Sequence, residues 1–316
     1  MPSIVAHAVY GDIAVTRTGD SAITQAIKAN HDLFWIGCQG PDLFFYYHPW
    51  SGRAYDRQVR GYPERLHGHK IDMTFTLMAA QAKKEADMAV TAYVAGFLSH
   101  WAMDMNCHPY IFYRTQRPEK QDGYPEHQFL EAAIDRAVLQ DQGLDLAAYS
   151  ILDRRPGCDA KIHAVLQQVM AAEYGLDLPL ATVSAAISDF RFVERFFYSR
   201  GAKFRFYRGL EKLVGKPKAI TALIIPPDTD PDVDPLNTRH AVWHDPCDRS
   251  VVSTASFAEL ADRAVGQTAD LWAALQSYLQ DEGPVEDLTR LLAGRTFKTG
   301  RDEQDRMYCF AAGDRS

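Results

Sequence analysis

Apolar side chains recur at helical spacing along most of the chain. Asp20 stands where it would cap SAITQAIKAN, and Asn30 where it would cap a second short helix, HDLFWIG, that breaks at Gly37. Over 68–84 the apolar residues Ile71, Phe75, Leu77 and Met78 keep a helical period. The stretch 86–105 is alanine-rich and apolar on nearly every side, which predicts a helix at the centre of a bundle. Pro125 opens the next helix, EHQFLEAAIDRAVL. Further helices are expected near 143–153, 158–174, 180–191, 190–214, 256–280 and 284–293. Strands are scarce: 219–225 (AITALII) is the best candidate and fits a helix equally well. The stretches 37–66, 112–125 and 226–250 show no regular period. The expected fold class is all-α, a multi-helix bundle.

Composition changes this picture little. With 316 residues, 47% hydrophobic and 24% charged, the chain has ordinary globular values and is read as one domain over 1–316. Its longest apolar runs, near 89–98 and 219–225, fall short of the ~20 residues a membrane span needs, so no transmembrane segment is expected. The opening MPSIVAHAVYGD has neither a basic n-region nor an apolar h-region, so no secretory signal is expected. Cys38, Cys107, Cys158, Cys247 and Cys309 are scattered without paired spacing, which fits a reduced, cytoplasmic setting. A net charge of -7 argues against a stable nucleic-acid scaffold role. It does not argue against a phosphorylated substrate, because bound divalent cations invert the local field.

Candidate chemistry is concentrated before residue 140. His100, Asp104 and His108 lie in HWAMDMNCH, and His127 and Glu131 in HQFLE. Residues four apart on an α-helix share a face with only ~40° of drift, so each set converges on one side. Imidazole nitrogen combined with carboxylate oxygen suits zinc and similar divalent ions, and such sites usually do hydrolytic chemistry. Asp104 weighs most, because a carboxylate on an apolar helix is costly to bury unless paired or metal-bound. Four more candidates join them: His7, Asp42 after the turn-forming Gly40–Pro41, and His67 and His69 in RLHGHK. Each alone reads better as a structural residue; the set together reads as a metal site.

The order of these residues resembles that of the bacterial zinc-dependent phospholipase C family, to which the single-strand-specific zinc nucleases are related. The likeness is greatest to its cytoplasmic branch, through MPS...AH, DLFWIGCQGPDLFFYY, LHGHK and GFLSHWAMDMNCHPY. It is strong over 1–135 and returns weakly at WHDP and SFAELADRA. The resemblance implies a phospholipase C-like or zinc nuclease-like bundle with the metal site between helices. The metal-binding half would be 1–140 and the helical remainder 141–316. It implies two or three Zn2+ ions: one held by Asp42, His67 or His69, His100 and Asp104; one by His108, His127 and Glu131; and one by His7, a bridging Asp104 and the chain terminus. The secreted members begin with a metal-binding tryptophan where this chain has Met1 and Pro2, and Pro2 is the expected replacement after loss of Met1.

The function expected is that of a zinc-dependent phosphoesterase cleaving a phosphodiester with an activated water, Asp42 acting as ligand or general base. Phospholipid, nucleotide and nucleic acid all remain open as the phosphate-ester substrate. The alternative is a non-catalytic, metal-stabilised protein binding a phosphate-bearing ligand in closed coordination shells. A redox di-metal site would want Glu-x-x-His spacing, which the chain does not offer at these positions. Phe44, Phe45, Tyr46, Tyr47 and Trp50 either wall an apolar part of the substrate or join the core. Asp228, Asp230, Asp232 and Asp234 alternate as in a calcium loop, but Val233 and Arg239 stand where that loop needs Gly and Glu, so a solvated turn is expected.

Overall fold

The computed structural model describes residues 4–118, 124–146, 157–197, 201–216, 218–230 and 232–314. Its α-helices are α1 (Ile4–Thr18), α2 (Ala22–Ala29), α3 (His31–Gly37), α4 (Ala54–Arg60), α5 (Tyr62–Gly68), α6 (Ile71–Glu85) and α7 (Met88–Thr115). They continue with α8 (Tyr124–Asp141), α9 (Cys158–Tyr174), α10 (Leu180–Phe197), α11 (Ala202–Leu213), α12 (Phe257–Leu279) and α13 (Glu286–Leu292). Short 3-10 helices occupy Gly40–Tyr46 and Thr221–Leu223. Two small antiparallel hairpins complete the described residues: β1 (Trp243–Asp245) with β2 (Asp248–Ser253), and β3 (Cys309–Phe310) with β4 (Gly313–Asp314). The fold is all-α, as the periodicity predicts.

Helix α7 is the axis of the molecule because its sequence has no polar face. It runs for 28 residues and packs against α1, α2, α3, α6, α8, α9 and α12. A helix that is apolar all round can only be stable when surrounded, and nearly every side chain from Ala89 to Ile111 is buried. Its start is fixed by Asp87, whose carboxylate accepts the Ala89 N–H at 2.7 Å. Two indoles lock neighbours onto it: Trp272 Nε1 donates to the Ala95 carbonyl at 2.9 Å, and Trp101 Nε1 to the Arg295 carbonyl at 2.8 Å. One hydrophobic cluster extends from Ile4 to Phe297.

Two glycines bring α3 into backbone contact with α7. A Cβ at Gly37 would stand 2.2 Å from the Tyr93 carbonyl oxygen, and one at Gly96 2.2 Å from the Phe34 carbonyl oxygen. Nothing larger fits either position. The chain leaving α3 therefore crosses α7 at close range, and the Gly40–Tyr46 turn is laid directly over the segment that carries His100.

Several expectations are corrected. Ser21, not Asp20, caps α2, because Ser21 and Thr24 satisfy each other's backbone N–H in a capping box. Asn30 precedes α3 but makes no side-chain cap; its Nδ2 donates back to the Ala26 carbonyl at 3.1 Å. The stretch 37–66 is not irregular, since it holds the Gly40–Tyr46 turn, α4 and most of α5, each too short to display a period. Helix α6 starts at Ile71 rather than 68, and α7 runs through 112–115. Residues 219–225 form a turn and a 3-10 helix instead of a strand. Within 226–250 the β1–β2 hairpin begins. Most of the helix expected over 143–153 lies outside the described residues, as do Met1 and Pro2.

Candidate metal centre

The candidate ligands come from five elements that meet on one side of α7. His7 lies on α1, Asp42 on the Gly40–Tyr46 turn, His67 in the last turn of α5, His100, Asp104 and His108 along α7, and His127 and Glu131 on α8. The i, i+4 spacing does what helical geometry requires, stacking His100, Asp104 and His108 down one face. All eight residues are at least nine-tenths buried. They gather into two groups with the composition of metal sites: Asp42, His67, His100 and Asp104, and separately His108, His127 and Glu131. In each group one donor atom per residue lies within 4.8 Å of all the others.

Asp104 joins the groups. Its Oδ2 faces His100 Nε2 at 3.1 Å and His67 Nε2 at 3.4 Å, while Oδ1 faces His7 Nε2 at 3.2 Å and His108 Nε2 at 3.6 Å. One carboxylate thus presents its two oxygens to two different sets of imidazoles. Asp42 Oδ1 lies 3.3 Å from His67 Nε2, and Asp42 Oδ2 3.7 Å from His100 Nε2. On the other side, Glu131 Oε1 lies 3.0 Å from His127 Nε2 and 3.6 Å from His108 Nε2.

Three backbone carbonyls orient the histidines. His100 Nδ1 donates to the Cys38 carbonyl at 3.0 Å, His67 Nδ1 to the Pro63 carbonyl at 2.7 Å, and His108 Nδ1 to the Phe297 carbonyl at 2.8 Å. In the neutral ring, a proton fixed on Nδ1 leaves Nε2 with its lone pair directed into the cluster, which is the arrangement a metal-binding imidazole needs. Phe297 does more than donate its carbonyl. Its ring lies 5.0 Å from that of His67 and 5.7 Å from that of His100, and its N–H bonds the His67 carbonyl at 3.1 Å. The His7 and His100 rings stack at 4.3 Å. His7 is steered there by its neighbour, since the Ala6 N–H donates to buried Asp135 at 2.8 Å.

The charges of the centre oppose the cost of burying them. Burial pushes the Asp104 carboxyl up, but His100 and His108 outweigh it and hold Asp104 well below the usual carboxylate range. Burial likewise opposes ionisation of Glu131, and His127 overcomes it, so Glu131 also stays charged. Burial lowers His7 and His127. His108 moves the other way: burial lowers it, yet Asp104 and Glu131 raise it to about 9. Meanwhile Asp42 Oδ1, Asp104 Oδ2 and His100 Nε2 are buried without a well-formed hydrogen bond, although opposite partners stand within 4 Å. All three belong to the group whose donor atoms lie within 4.8 Å of one another. Buried polar atoms left this way are costly, and a cation among them would satisfy them all.

His69 does not join its neighbour. The backbone turns extended at His69, which ends α5, so its ring leaves the helix face and lies exposed with Nδ1 3.2 Å from Glu303. Of the two histidines in RLHGHK, which the sequence leaves as alternatives, His67 is the one that meets the other candidate ligands. His240 and His244 bond the Thr254 and Arg249 carbonyls and form no cluster among the described residues. Asp234 accepts the Thr238 and Arg239 N–H groups, as a turn residue does. The orienting carbonyls and the Phe297 ring were not foreseen. Only Pro63 left a signal, because the carbonyl four residues before a helical histidine is always in reach.

Beside the centre, the half-buried Phe45 ring stacks against His67 at 6.3 Å. Phe45 also lines a cleft of about 480 Å³ shared with Tyr46, Trp50, Phe192, Phe196 and Tyr207.

Residues 5–175 match the family model described as zinc dependent phospholipase C. Neither the curated proteins nor the solved structures compared with the chain gave a match. The matched span covers more than half of the 316 residues and contains every member of both buried clusters. The chain belongs to the zinc-dependent phospholipase C family.

Proposed function

We propose that this protein is a zinc-dependent phosphoesterase of the phospholipase C type, hydrolysing a phosphodiester with water as nucleophile. The observation that carries the reading is Asp104, whose two oxygens face His67 and His100 on one side and His7 and His108 on the other. The family implies zinc, and the donors fit it: buried imidazole nitrogens and carboxylate oxygens gather within 4.8 Å of one another in each group, with Asp42 Oδ1, Asp104 Oδ2 and His100 Nε2 lacking a well-formed hydrogen bond. Asp42, His67, His100 and Asp104 would hold one ion, and His108, His127 and Glu131 a second. His7 Nε2, 3.2 Å from Asp104 Oδ1, would offer a donor to a third.

When bound, zinc would polarise a phosphoryl oxygen and lower the pKa of a bound water to about 7. The chain's own residues do the rest. The Cys38, Pro63 and Phe297 carbonyls keep protons on the Nδ1 atoms of His100, His67 and His108. Asp42 would act as a ligand or accept a proton from the attacking water, a role supported by its buried Oδ1, which lacks a hydrogen bond. Phe45 and Phe297 keep bulk water from the His67 edge, which strengthens every charge interaction inside. The phosphate ester is a phospholipid, a nucleotide or a nucleic acid. Five free cysteines, four of them buried, support a reducing cytoplasmic setting. No helix among the described residues is long and apolar enough to cross a membrane.

The test is hydrolysis of bis(p-nitrophenyl) phosphate before chelation, after it, and after zinc is restored. Loss followed by recovery is expected. Absence of hydrolysis with zinc or any other divalent ion would overturn the proposal.

A further inference from the structure

Helix α11 has its apolar side turned outward. Phe206, Leu210 and Leu213 are spaced i, i+4, i+7, which places them within about 60° of one another around the axis. All three are exposed, Phe206 at 66% and Leu213 at 82%. The inward side is made by Phe204 and Glu211, both buried. Glu211 fixes the helix from within: its carboxylate accepts the N–H groups of Ile220 and Thr221 at 2.6 and 2.7 Å and the Thr221 hydroxyl at 2.7 Å. The outward stripe is therefore held in register by a buried anchor.

Charge sets this face apart from the rest of the chain. Between residues 190 and 218 nine Lys and Arg accompany two Glu, in a protein whose net charge is -7. Both of those glutamates, Glu194 and Glu211, are buried, so the surface they leave is basic. Arg205 and Lys212 stand on one side of the stripe and are exposed, and Arg208 lies further round, over the Phe204 ring at 6.0 Å. Next to α11, Trp50 and Phe192 meet edge to face at 5.9 Å while standing 80% and 59% exposed. These two residues and Tyr207 of α11 line the same cleft that Phe45 joins beside the metal centre.

We infer that α11, with Trp50 and Phe192, is a docking surface for an anionic lipid bilayer. A helix with aromatic and leucine side chains on one side and Lys/Arg beside them lies in the interface plane, its apolar tips among the acyl chains and its cations at the headgroups. The alternatives fit the surface less well. A nucleic acid would satisfy the cations, but Leu210 and Leu213 offer no stacking plane for bases. A second copy related by a two-fold axis would set the basic stripe against itself. The inference does not depend on the phosphoesterase reading.

Sedimentation of the full-length, zinc-loaded protein with vesicles tests it. One set is pure phosphatidylcholine; the other has half replaced by phosphatidylglycerol. The protein is expected to bind the anionic vesicles and to leave them at high salt. Phe206→Ser with Leu213→Ser should weaken partitioning by about tenfold or more, and so should Arg205→Glu with Lys212→Glu. Both variants should retain wild-type helicity and zinc content, because all four side chains are exposed. Equal binding to both vesicle types, or variants that bind like wild type, would overturn the inference. Retention by a single-stranded oligonucleotide in preference to vesicles, or a dimer that the Phe206/Leu213 variant abolishes while vesicles are ignored, would overturn it as well. Sedimentation reads binding whether or not lipid is cleaved, so its failure is separable from failure of the catalytic reading.

Discussion

The Gly40 backbone lies flat against the His100 ring: a Cβ at Gly40 would stand 2.3 Å from His100 Cδ2. Gly40 also has φ +53, a left-handed conformation that costs other residues about 1–2 kcal/mol. The turn that delivers Asp42 and the imidazole that faces it are thus built against each other. Gly40→Ala should move His100 out of the cluster and lower zinc content. Hydrolysis should fall about a hundredfold, the order expected for an ångström-scale misplacement. Elemental analysis together with the hydrolysis rate checks this, and unchanged values for both would show that His100 is not held by Gly40.

Asp104 serves both sides of the centre, so Asp104→Asn should cost more metal than any other single ligand change. His127→Ala or Glu131→Ala should remove one ion and leave the remainder measurable, because their group meets the other through His108 and Asp104. Zinc counted per chain in the three variants distinguishes the cases. Full metal content in Asp104→Asn would remove the bridging role.

The two histidines of RLHGHK should behave differently. His67→Ala should lose zinc and activity, whereas His69→Ala, which gives up only an exposed contact with Glu303, should keep both. Its stability should change by less than about 1 kcal/mol, as is usual for surface ion pairs. Metal loss in His69→Ala with retention in His67→Ala would reverse the assignment.

Asp87 ties the start of α7 to α9 by pairing with Lys161 and capping Ala89. Lys161 first, and the capped N–H next, hold its carboxyl below its ordinary 3.8. A carboxylate with a depressed folded-state pKa stabilises the fold above the unfolded value and loses that contribution as pH falls through the folded one. Asp87→Ala should therefore cost about 1 kcal/mol near neutral pH, lowering Tm by about 2 °C. The gap from wild type should shrink below pH 3.8. Thermal melts of the metal-free proteins across that range provide the check, and a gap independent of pH would contradict the electrostatic account.

The sequence discloses most where the relation between residues is local. His100, Asp104 and His108, and His127 and Glu131, are legible because a helix converts a step of four into a shared face. The central position of α7 is legible because no side of it is polar. The choice between His67 and His69 is not, since it turns on where α5 ends, and a seven-residue helix opening after Gly61 shows no period. The Cys38 and Phe297 carbonyls are also hidden, because a backbone acceptor carries no residue signature and lies 62 or 189 positions from its histidine. The aromatic run after Asp42 divides: Phe44 is fully buried in the core, while Phe45 and Tyr46 both border the cleft beside His67. Nothing in their order separates those fates.

The central claim is that zinc gathered around Asp104 hydrolyses a phosphodiester, and titrating zinc into the metal-free protein while following bis(p-nitrophenyl) phosphate cleavage tests it most directly. The account predicts no cleavage without metal, a rise that saturates at two or three zinc per chain, and no such rise in Asp104→Asn. Stoichiometric zinc binding with no cleavage at any loading would contradict it and leave a metal-stabilised binding protein in its place.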